Sequence, residues 1–444
     1  MTDFSGYAIT AAFVALYIGI IFFLHRTGRL GPDKRFSLFG PLLMVKTQKG
    51  RSLLDRLGRF RRTWSVLGDV GLVLAAVAMI VVVVTLLLEA AVALRIPSSA
   101  APQPATALGL PGINPFIPIG YGIAAIAVGI VLHELFHGFV ARSQNIGVKS
   151  LGVLFLVVPM GAFVEQDDKE MQAASRRTRG RVAAAGIFAN FVVAAVTFLI
   201  LGLLVSSSVQ PSAEGVGIAV VEPNSPAANA SLQAGDIITA VNGTQTPTDA
   251  AFLSILEKSR PHETISVTYY SASQAGQVTV SATLATFPNQ PARGLLGVAV
   301  TSWTPSEILT DLRTPWASTA GPLQGFLIWL ILPFAGLEPV AGSTVNFYHL
   351  SGPLAGLGVG NFWILTNLFY WFTWMNLLLG LSNALPLIPL DGGLLFRDWV
   401  AGLVHRIKRG WEPRRLDDVA ARLTVATSLL VVFLIVWQFI APRL

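Results

Sequence analysis

Long apolar runs recur along this chain, and they constrain its fold more than any other feature. A helix needs about 20 mostly apolar residues to cross the hydrocarbon core of a bilayer. Of the 444 residues, 53% are hydrophobic and only 12% are charged, whereas soluble domains are about a quarter charged. The apolar runs cover residues 8–24, 70–94, 117–140, 182–205, 316–336, 362–389 and 423–440. We therefore predict a polytopic α-helical membrane protein embedded in a lipid bilayer.

Basic residues cluster between these runs and predict which side of the membrane each segment occupies. Residues 26–62 and 397–422 are rich in Lys and Arg, which favours a cytoplasmic location. The net charge of +7 is therefore interpreted as membrane topology, and we expect no nucleic-acid partner. The arginines within 176–181 are interpreted as a signal for orientation and lipid headgroups. Because the chain has no cysteine, disulfides and thiolate metal sites are excluded.

The order of the segments predicts about six spanning helices with both termini outside. The first run has no basic leader and no small-residue cleavage site, so we expect a retained span. Residues 213–286 have shorter apolar stretches with alternating Thr and Val, typical of a small water-soluble α/β module. One crossing should separate this outward module from segment 397–422, so 316–336 is predicted to be an interfacial brace. The alternative of seven spans would place segment 397–422 outside.

The run 117–140 contains His133-Glu134-Leu135-Phe136-His137. On a helix the two histidines share one face, and the glutamate lies beside them. An ionisable side chain in a spanning helix costs about 2.5–3.5 kcal/mol, so three together need a function. Two imidazoles could hold zinc while the carboxylate moves protons on a water. Since the pattern is short, an inert chance match is the alternative.

A hydrolytic zinc site needs three protein ligands and one open position. The strongest candidate for the third ligand is Asp391, in the segment Asn383-Ala-Leu-Pro-Leu-Ile-Pro-Leu-Asp391-Gly-Gly. The prolines break the preceding helix, and the glycines let the backbone turn close to a ligand. Under the predicted topology this segment reaches the same cytoplasmic side as the histidine pair. An ordinary helix N-cap is the alternative role for Asp391.

Residues 148–164 are apolar but interrupted by Gly152, Pro159 and Gly161. The glycines and the proline disfavour a continuous spanning helix in this segment. Irregular or strand-like backbone at membrane depth is tolerated only where protein or a water-filled cavity satisfies it. We therefore predict a re-entrant β-hairpin near the active site.

Five motifs together resemble the site-2 protease family of intramembrane zinc metalloproteases. They are HELFH at 133–137, NALPLIPLDGG at 383–393, GAFV at 161–164, GIFAN at 186–190 and SGP at 351–353. The resemblance covers most of the chain from about residue 120 to 397. It implies that His133, His137 and Asp391 bind Zn²⁺ and that Glu134 is the general base.

The resemblance also implies roles around the metal. Asn383 would position the scissile carbonyl or its oxyanion, and Asn190 would be a supporting polar residue. The strand Gly161-Ala162-Phe163-Val164 would pair with an unwound substrate helix. One departure is the isoleucine at 187, where many members have proline, which leaves the local helix start in doubt but not the chemistry. His349 is expected to be structural, and Asn383 has interhelical hydrogen bonding as its alternative role.

The module also resembles the PDZ domains that site-2 proteases commonly carry outside the membrane, through its motif at residues 223–243. It would exclude substrates with bulky ectodomains or capture a C-terminus left by a first protease. The expected domains are a two-span region with a basic loop (1–95), the first part of the catalytic core (117–208), the PDZ-like domain (212–300), the brace (301–360) and the second part of the core with a C-terminal span (361–444).

The predicted protein is a multi-pass cell-membrane endopeptidase acting in regulated intramembrane proteolysis. Its active site would face the cytoplasm, and its PDZ-like domain would lie outside. Its substrate would be a single-span membrane-tethered regulator, cut beforehand by another protease. The alternative is a catalytically silent receptor or metal-binding protein that uses the PDZ-like domain for partners. The intact Glu134 favours the enzyme, since a scaffold that only binds zinc does not need this carboxylate.

Overall fold

The computed structural model describes residues 4–107, 109–288, 290–318, 321–331, 340, 342–408 and 410–444. Two units are distinguished along the chain, one formed by residues 1–195 with 374–444 and one by residues 196–373. The helices are α1 Phe4–Arg26, α2 Arg51–Gly58, α3 Arg61–Val92, α4 Ile119–Ser143, α5 Asp168–Ala173, α6 Arg176–Ser208, α7 Pro226–Asn229, α8 Asp249–Lys258, α9 Pro305–Arg313, α10 Pro322–Ile331, α11 Val359–Asn383, α12 Asp391–Ile407 and α13 Pro413–Ile440. The strands are β1 Phe36–Phe39, β2 Leu42–Thr47, β3 Val148–Leu156, β4 Val158–Gln166, β5 Val209–Pro211, β6 Val216–Val221, β7 Ile237–Val241, β8 Thr244–Gln245, β9 Thr264–Ser271, β10 Gly276–Thr283, β11 Ala285–Phe287, β12 Gln290–Leu295, β13 Val298–Val300 and β14 Tyr348–Leu350.

Five helical segments among the described residues are long and apolar enough to cross a membrane. They are Arg61–Arg95, Ile119–Ser143, Arg176–Ser208, Val359–Asn383 and Arg414–Arg443. This finding confirms the prediction of a polytopic membrane protein. The helix α1 is also apolar, but the part whose side chains are described, Ala11–Arg26, is shorter. The count of six spans therefore stays a prediction.

The first unit contains a four-stranded antiparallel sheet in the order β1-β2-β3-β4. The hairpin β3–β4 occupies the broken apolar segment 148–164, where a hairpin was predicted. At the ends of the two hairpins Phe39 is 63% exposed and Val158 is 54% exposed. Exposed apolar side chains at one end of a sheet are compatible with contact to lipid. Entry of this hairpin into the membrane remains a proposal.

Tyr17 of α1 connects the two hairpins. Its hydroxyl accepts the Leu43 N–H at 3.1 Å and lies 2.6 Å and 3.0 Å from the carbonyl oxygens of Pro41 and Phe155. These backbone groups lie close to the apolar hairpin ends, where water is scarce if the sheet enters the bilayer. Tyr17 therefore satisfies main-chain groups that lipid could not satisfy.

Small residues let α3 and α6 approach closely in the first unit. A Cβ at Gly71 would lie 3.1 Å from the Phe188 Cβ and 3.3 Å from the Ala184 carbonyl oxygen. Close backbone approach at small residues is a common way for helices to associate in membranes. Ile187, which departs from the family pattern, is fully buried in this contact with Ala75. Its side chain therefore fills the core between helices.

The second unit contains the predicted α/β module. Its sheet has the strand order β10-β9-β7-β6-β13, and β8 pairs with β7. Val216, Ile238, Phe252 and Val267 belong to its buried core. The alternating burial of β9 matches the Thr and Val alternation that predicted a strand. Separately, His349 lies in β14 opposite Gln210 of β5, which suits the structural role expected for it.

The segment 316–336 is described only as far as residue 331, and its last residues lie outside the described part. The helix α10 has ten residues, a length of about 15 Å, half the thickness of a hydrocarbon core. Its Trp329 ring contacts Phe198 at 5.5 Å and Tyr370 at 4.8 Å between ring centroids. These contacts are compatible with a brace, which stays a prediction.

Candidate metal centre

Three predicted ligands meet at one point in the first unit. The Nε2 atoms of His133 and His137 are 3.2 Å apart, and the Asp391 Oδ2 atom lies 3.1 Å and 3.2 Å from them. In a tetrahedral zinc site with bonds of about 2.0–2.1 Å, neighbouring ligand atoms are about 3.3–3.4 Å apart. The observed triangle therefore has the size that one zinc ion requires.

Hydrogen bonds behind the histidines turn their Nε2 lone pairs toward this triangle. The Nδ1 atom of His137 lies 2.7 Å from the Val182 carbonyl oxygen, so Nδ1 must carry the proton and donate it. The neutral ring then has a free lone pair on Nε2. Such a contact is typical behind a metal-bound histidine, where it fixes the tautomer.

His133 is supported in a similar way by Asn190, a fully buried residue of α6. Its amide nitrogen Nδ2 lies 3.2 Å from the His133 Nδ1, and its oxygen Oδ1 has no hydrogen-bond partner among the described residues, so the two amide atoms fit this site better when they are exchanged. If the amide oxygen faces Nδ1–H, both buried groups are satisfied and the His133 Nε2 is an acceptor. Three acceptor atoms then converge, with the Asp391 Oδ2 itself lacking a donor in the described part of the chain. A cation is the chemical species that such a set fits.

Glycines make this convergence sterically possible. A Cβ on Gly186 of α6 would lie 2.4 Å from the Nε2 of His133 and 2.5 Å from that of His137. Cβ atoms on Gly392 and Gly393 would lie 2.4 Å and 2.6 Å from backbone atoms of the segment after α11. The glycine pair after Asp391 thus allows α12 to start folded against this segment, as the sequence predicts.

The start of α12 tests the alternative role of Asp391 as a helix N-cap. The helix α12 begins at Asp391 with Leu390 as its N-cap. The Asp391 carboxylate lies against the two histidines. The interpretation of Asp391 as an N-cap is therefore wrong, and its role as a metal ligand stays a prediction.

Glu134 connects the HELFH helix to the sheet. Its Oε2 accepts the backbone N–H of Val164 in β4 at 3.0 Å. The four residues predicted to pair with substrate, Gly161 to Val164, all lie in β4, which is the terminal strand of the sheet. Phe163 packs against its cross-strand neighbour in β3, since a Cβ on Gly152 would lie 2.4 Å from the Phe163 ring.

The sheet itself is joined by an ion pair at its polar end. Lys46 of β2 reaches across β3 to Glu165 of β4, with 3.1 Å between Nζ and Oε2. Burial alone would raise the pKa of Glu165, but hydrogen bonds from Ser150 and Lys46 leave this pKa below its ordinary value. The Glu165 carboxylate therefore stays ionised and holds β4 against the rest of the sheet.

Two further asparagines lie on α11. Asn383 is its last residue and donates from its amide to the Leu379 carbonyl oxygen at 3.0 Å, within its own helix. Its role at the scissile carbonyl stays a prediction. Asn376 is a polar residue that was not predicted. It is fully buried, and a Cβ on Gly129 of α4 would lie 2.8 Å from its Oδ1. An amide inside an apolar run was the signal that could have identified it.

The arginines assigned to lipid headgroups have protein partners. Arg177 and Arg181 of α6 both bind Asp69 of α3, with closest distances of 2.8 Å and 2.7 Å. Arg179 makes two bonds of 2.9 Å and 2.8 Å to Asp398 of α12. These pairs fasten α6, the helix behind both histidines, to α3 and α12. These three residues therefore have a structural role, and the orientation and headgroup role stays a prediction.

Comparison with known proteins agrees with this geometry. The profile of peptidase family M50 matches residues 121–431. An uncharacterized protein of Methanocaldococcus jannaschii is 26% identical over 359 residues, covering 81% of this chain and 76% of that protein. The zinc metalloprotease RasP of Shouchella clausii is 28% identical over 48% of each chain. The regulator of sigma-W protease RasP of Bacillus subtilis is 26% identical over 59% of this chain and 58% of its own.

One solved structure is similar to a small part of the chain. The PDZ domain of the SdrC-like protein from Listeria monocytogenes is 21% identical, with 20% of this chain and 90% of that domain covered. The TM-score of 0.18 is too low to assign the fold of the module. The PDZ-like identity of residues 212–300 therefore stays a prediction.

Proposed function

The chain belongs to peptidase family M50, and from this premise we propose that it is an intramembrane zinc endopeptidase that cleaves the spanning segments of membrane-tethered regulators. The observation that carries the proposal is the triangle of two imidazole nitrogens and one carboxylate oxygen, 3.1–3.2 Å on each side. The position of both histidines on α4, a helix apolar enough to span a bilayer, supports intramembrane action. One relative is named regulator of sigma-W protease, and this name supports a regulatory protein as the substrate.

His133, His137 and Asp391 would hold the zinc ion, leaving one position open for a water or substrate oxygen. When bound there, zinc polarises the substrate carbonyl and makes a water acidic enough to lose a proton near neutral pH. Glu134 accepts that proton as the water oxygen bonds to the carbonyl carbon. It then returns the proton to the leaving nitrogen as the C–N bond breaks.

The substrate must present an extended backbone to this site. Peptide bonds in a spanning helix are shielded by their own hydrogen bonds, so the helix has to unwind locally and its freed groups need partners. The open edge of β4 supplies N–H and C=O groups for such pairing, with Glu134 beside it at Val164. We expect water to arrive from the cytoplasmic side.

The outward location of the module, its PDZ-like identity and a preceding cleavage belong to the same proposal. A compact α/β module outside the membrane would exclude substrates that still carry a bulky ectodomain. Trimming by a first protease would then make a single-span substrate acceptable. The alternative of a catalytically silent receptor is not favoured. Glu134 is present next to the histidine ligands, and its carboxylate reaches the edge of β4.

The test is to replace Glu134 with glutamine and follow cleavage of a single-span substrate in detergent. We expect cleavage to fall by at least about 100-fold, in line with removal of a general base, while zinc content is unchanged. Glu257→Gln in α8 is a matched control, since it makes the same chemical change on the soluble module. Wild-type cleavage by the Glu134 variant at normal zinc content would refute the proposed mechanism.

A further inference from the structure

The contact between Glu134 and Val164 crosses the route that a substrate would take. Glu134 lies on the ligand helix, and Val164 lies in the terminal strand, so their 3.0 Å hydrogen bond bridges α4 and β4. A peptide that pairs with the outer edge of β4 at Val164 needs the N–H that this hydrogen bond already occupies. It must therefore meet this hydrogen bond.

The Val164 N–H belongs to the open edge of β4. Val164 stands opposite Leu151 of β3, yet its N–H is donated to Glu134 and so is directed away from β3. Along a strand every second residue directs its N–H and C=O to the same edge. Ala162 is the next residue of that set, and a strand added here would use the main-chain groups of both.

The Val164 backbone is held firmly in place. Its side chain is buried in a cluster with Leu54 and Phe139. A Cβ on Gly138 would lie 3.3 Å from its Cγ1, so α4 packs directly on this part of β4. Because the donor is fixed, the partner that changes on substrate binding is the acceptor.

We propose that substrate pairing transfers the Val164 N–H from the Glu134 carboxylate to a substrate carbonyl oxygen, which releases Glu134 beside the peptide bond to be cut. The proposal rests on the proposed function and adds a coupling to it. One N–H makes one strong hydrogen bond, so the substrate carbonyl and Glu134 compete for it. Glu134 is thus engaged while the edge is empty and free when a strand occupies the edge. The scissile bond is then within about one residue of the substrate position opposite Val164.

A backbone change that removes only the N–H tests the transfer. The α-hydroxy analogue of valine at position 164 replaces the amide by an ester and keeps the side chain. The same change with the analogue of alanine at Ala162 is the matched control on the same edge. Two substrates are compared, namely a single-span protein and a peptide too short to pair along β4.

With the ester at 164 we expect kcat for the short peptide to rise by about threefold to tenfold, because Glu134 is already released. For the single-span substrate, KM should rise by a similar factor while kcat is unchanged. The ester at 162 should raise KM for the single-span substrate and leave the short peptide unaffected. A fall in kcat for both substrates with the ester at 164 would overturn the proposal, because the N–H would then be holding Glu134 during the reaction. Identical kinetics for the ester and the wild type would overturn it as well.

A second measurement does not depend on the ester variants. The chain has no cysteine, so Ala162→Cys in the Glu134→Gln background gives a single reactive position. Disulfide formation with a series of single-cysteine substrates should peak about one to three residues from the scissile bond. A uniform distribution, or a maximum more than about five residues away, would contradict the proposed register. Failure of the proposed function would be recognised separately, as cleavage by the Glu134→Gln variant or as absence of cleavage by the wild type.

Discussion

Gly186 is the residue at which a single methyl group should do the most damage to the metal centre. It lies in α6, and a Cβ there would be 2.4 Å from the His133 Nε2 and 2.5 Å from the His137 Nε2, the two atoms predicted to bind the metal. Ordinary contacts of a Cβ begin at 3.4 Å, so the Gly186→Ala variant needs a displacement of about 1 Å. Neither ring can turn away freely, because each is tied to α6 through Val182 or Asn190.

The size of the effect follows from the tolerance of zinc coordination. Ligand distances have to stay within about 0.2 Å of their ideal values, and the required displacement is about five times larger. We expect zinc affinity to fall by on the order of 100-fold or more, since altered support of a ligand alone reduces affinity by about 10–100-fold. Overpacking should also lower the free energy of unfolding by about 1–3 kcal/mol.

Competition with a chromophoric chelator measures zinc affinity, and thermal unfolding of the metal-free protein in detergent measures stability. Gly120→Ala on α4 is the matched control, because nothing lies within 4 Å of a Cβ at that position. It should bind zinc like the wild type. Wild-type zinc affinity in the Gly186→Ala variant would show that the close packing of α6 on the histidines is wrong.

Three other changes have defined outcomes. Asp391→Asn removes the anionic ligand and should reduce zinc affinity by on the order of 100-fold in the chelator assay; retained affinity would exclude Asp391 from the metal. Arg179→Lys keeps the charge but loses the two-bond contact with Asp398, so the free energy of unfolding should fall by about 1 kcal/mol, whereas no change would mean that the pair does not fasten α12. Because the pKa of Glu165 is below its ordinary value of 4.5, its carboxylate stabilises the sheet above that pH, and this stabilisation is lost as the pH falls through the lower folded value. Protection of β4 from proteolysis should therefore decline in that acidic range in the wild type but not in Glu165→Gln, and equal declines would refute the assignment.

The residues of the candidate metal centre were predictable because their signals are local. Two histidines four residues apart share a helix face wherever the helix lies. Asp391 could be identified because prolines before it and glycines after it require a turn close to a ligand. The structure confirms that these residues meet, although they come from distant parts of the chain.

The supports of this centre depend on long-range contacts that no local pattern reveals. Residues 36–47 were interpreted only as part of a basic loop, yet they form β1 and β2 of the sheet that carries β4. Lys46 looked like a topology signal, but its partner Glu165 comes from a strand far along the chain. The protein partners of the α6 arginines were not predicted for the same reason, since Asp69 and Asp398 are distant in sequence.

The three proposed ligands and the proposed general base Glu134 are held by different kinds of contact, and the difference matches their proposed roles. The two histidines are fixed from behind by groups of α6, and Asp391 is fixed by its place at the start of α12. Glu134 is instead held through a hydrogen bond to the edge of a sheet, the place where a substrate would add. Ligands have to keep their positions throughout a reaction cycle, whereas a proton carrier has to move between a water and the leaving nitrogen. A rigid ligand set beside a carboxylate that the substrate itself releases would confine hydrolysis to peptides that are already extended along β4. Folded spanning helices would then not be cut, even though they share the same membrane.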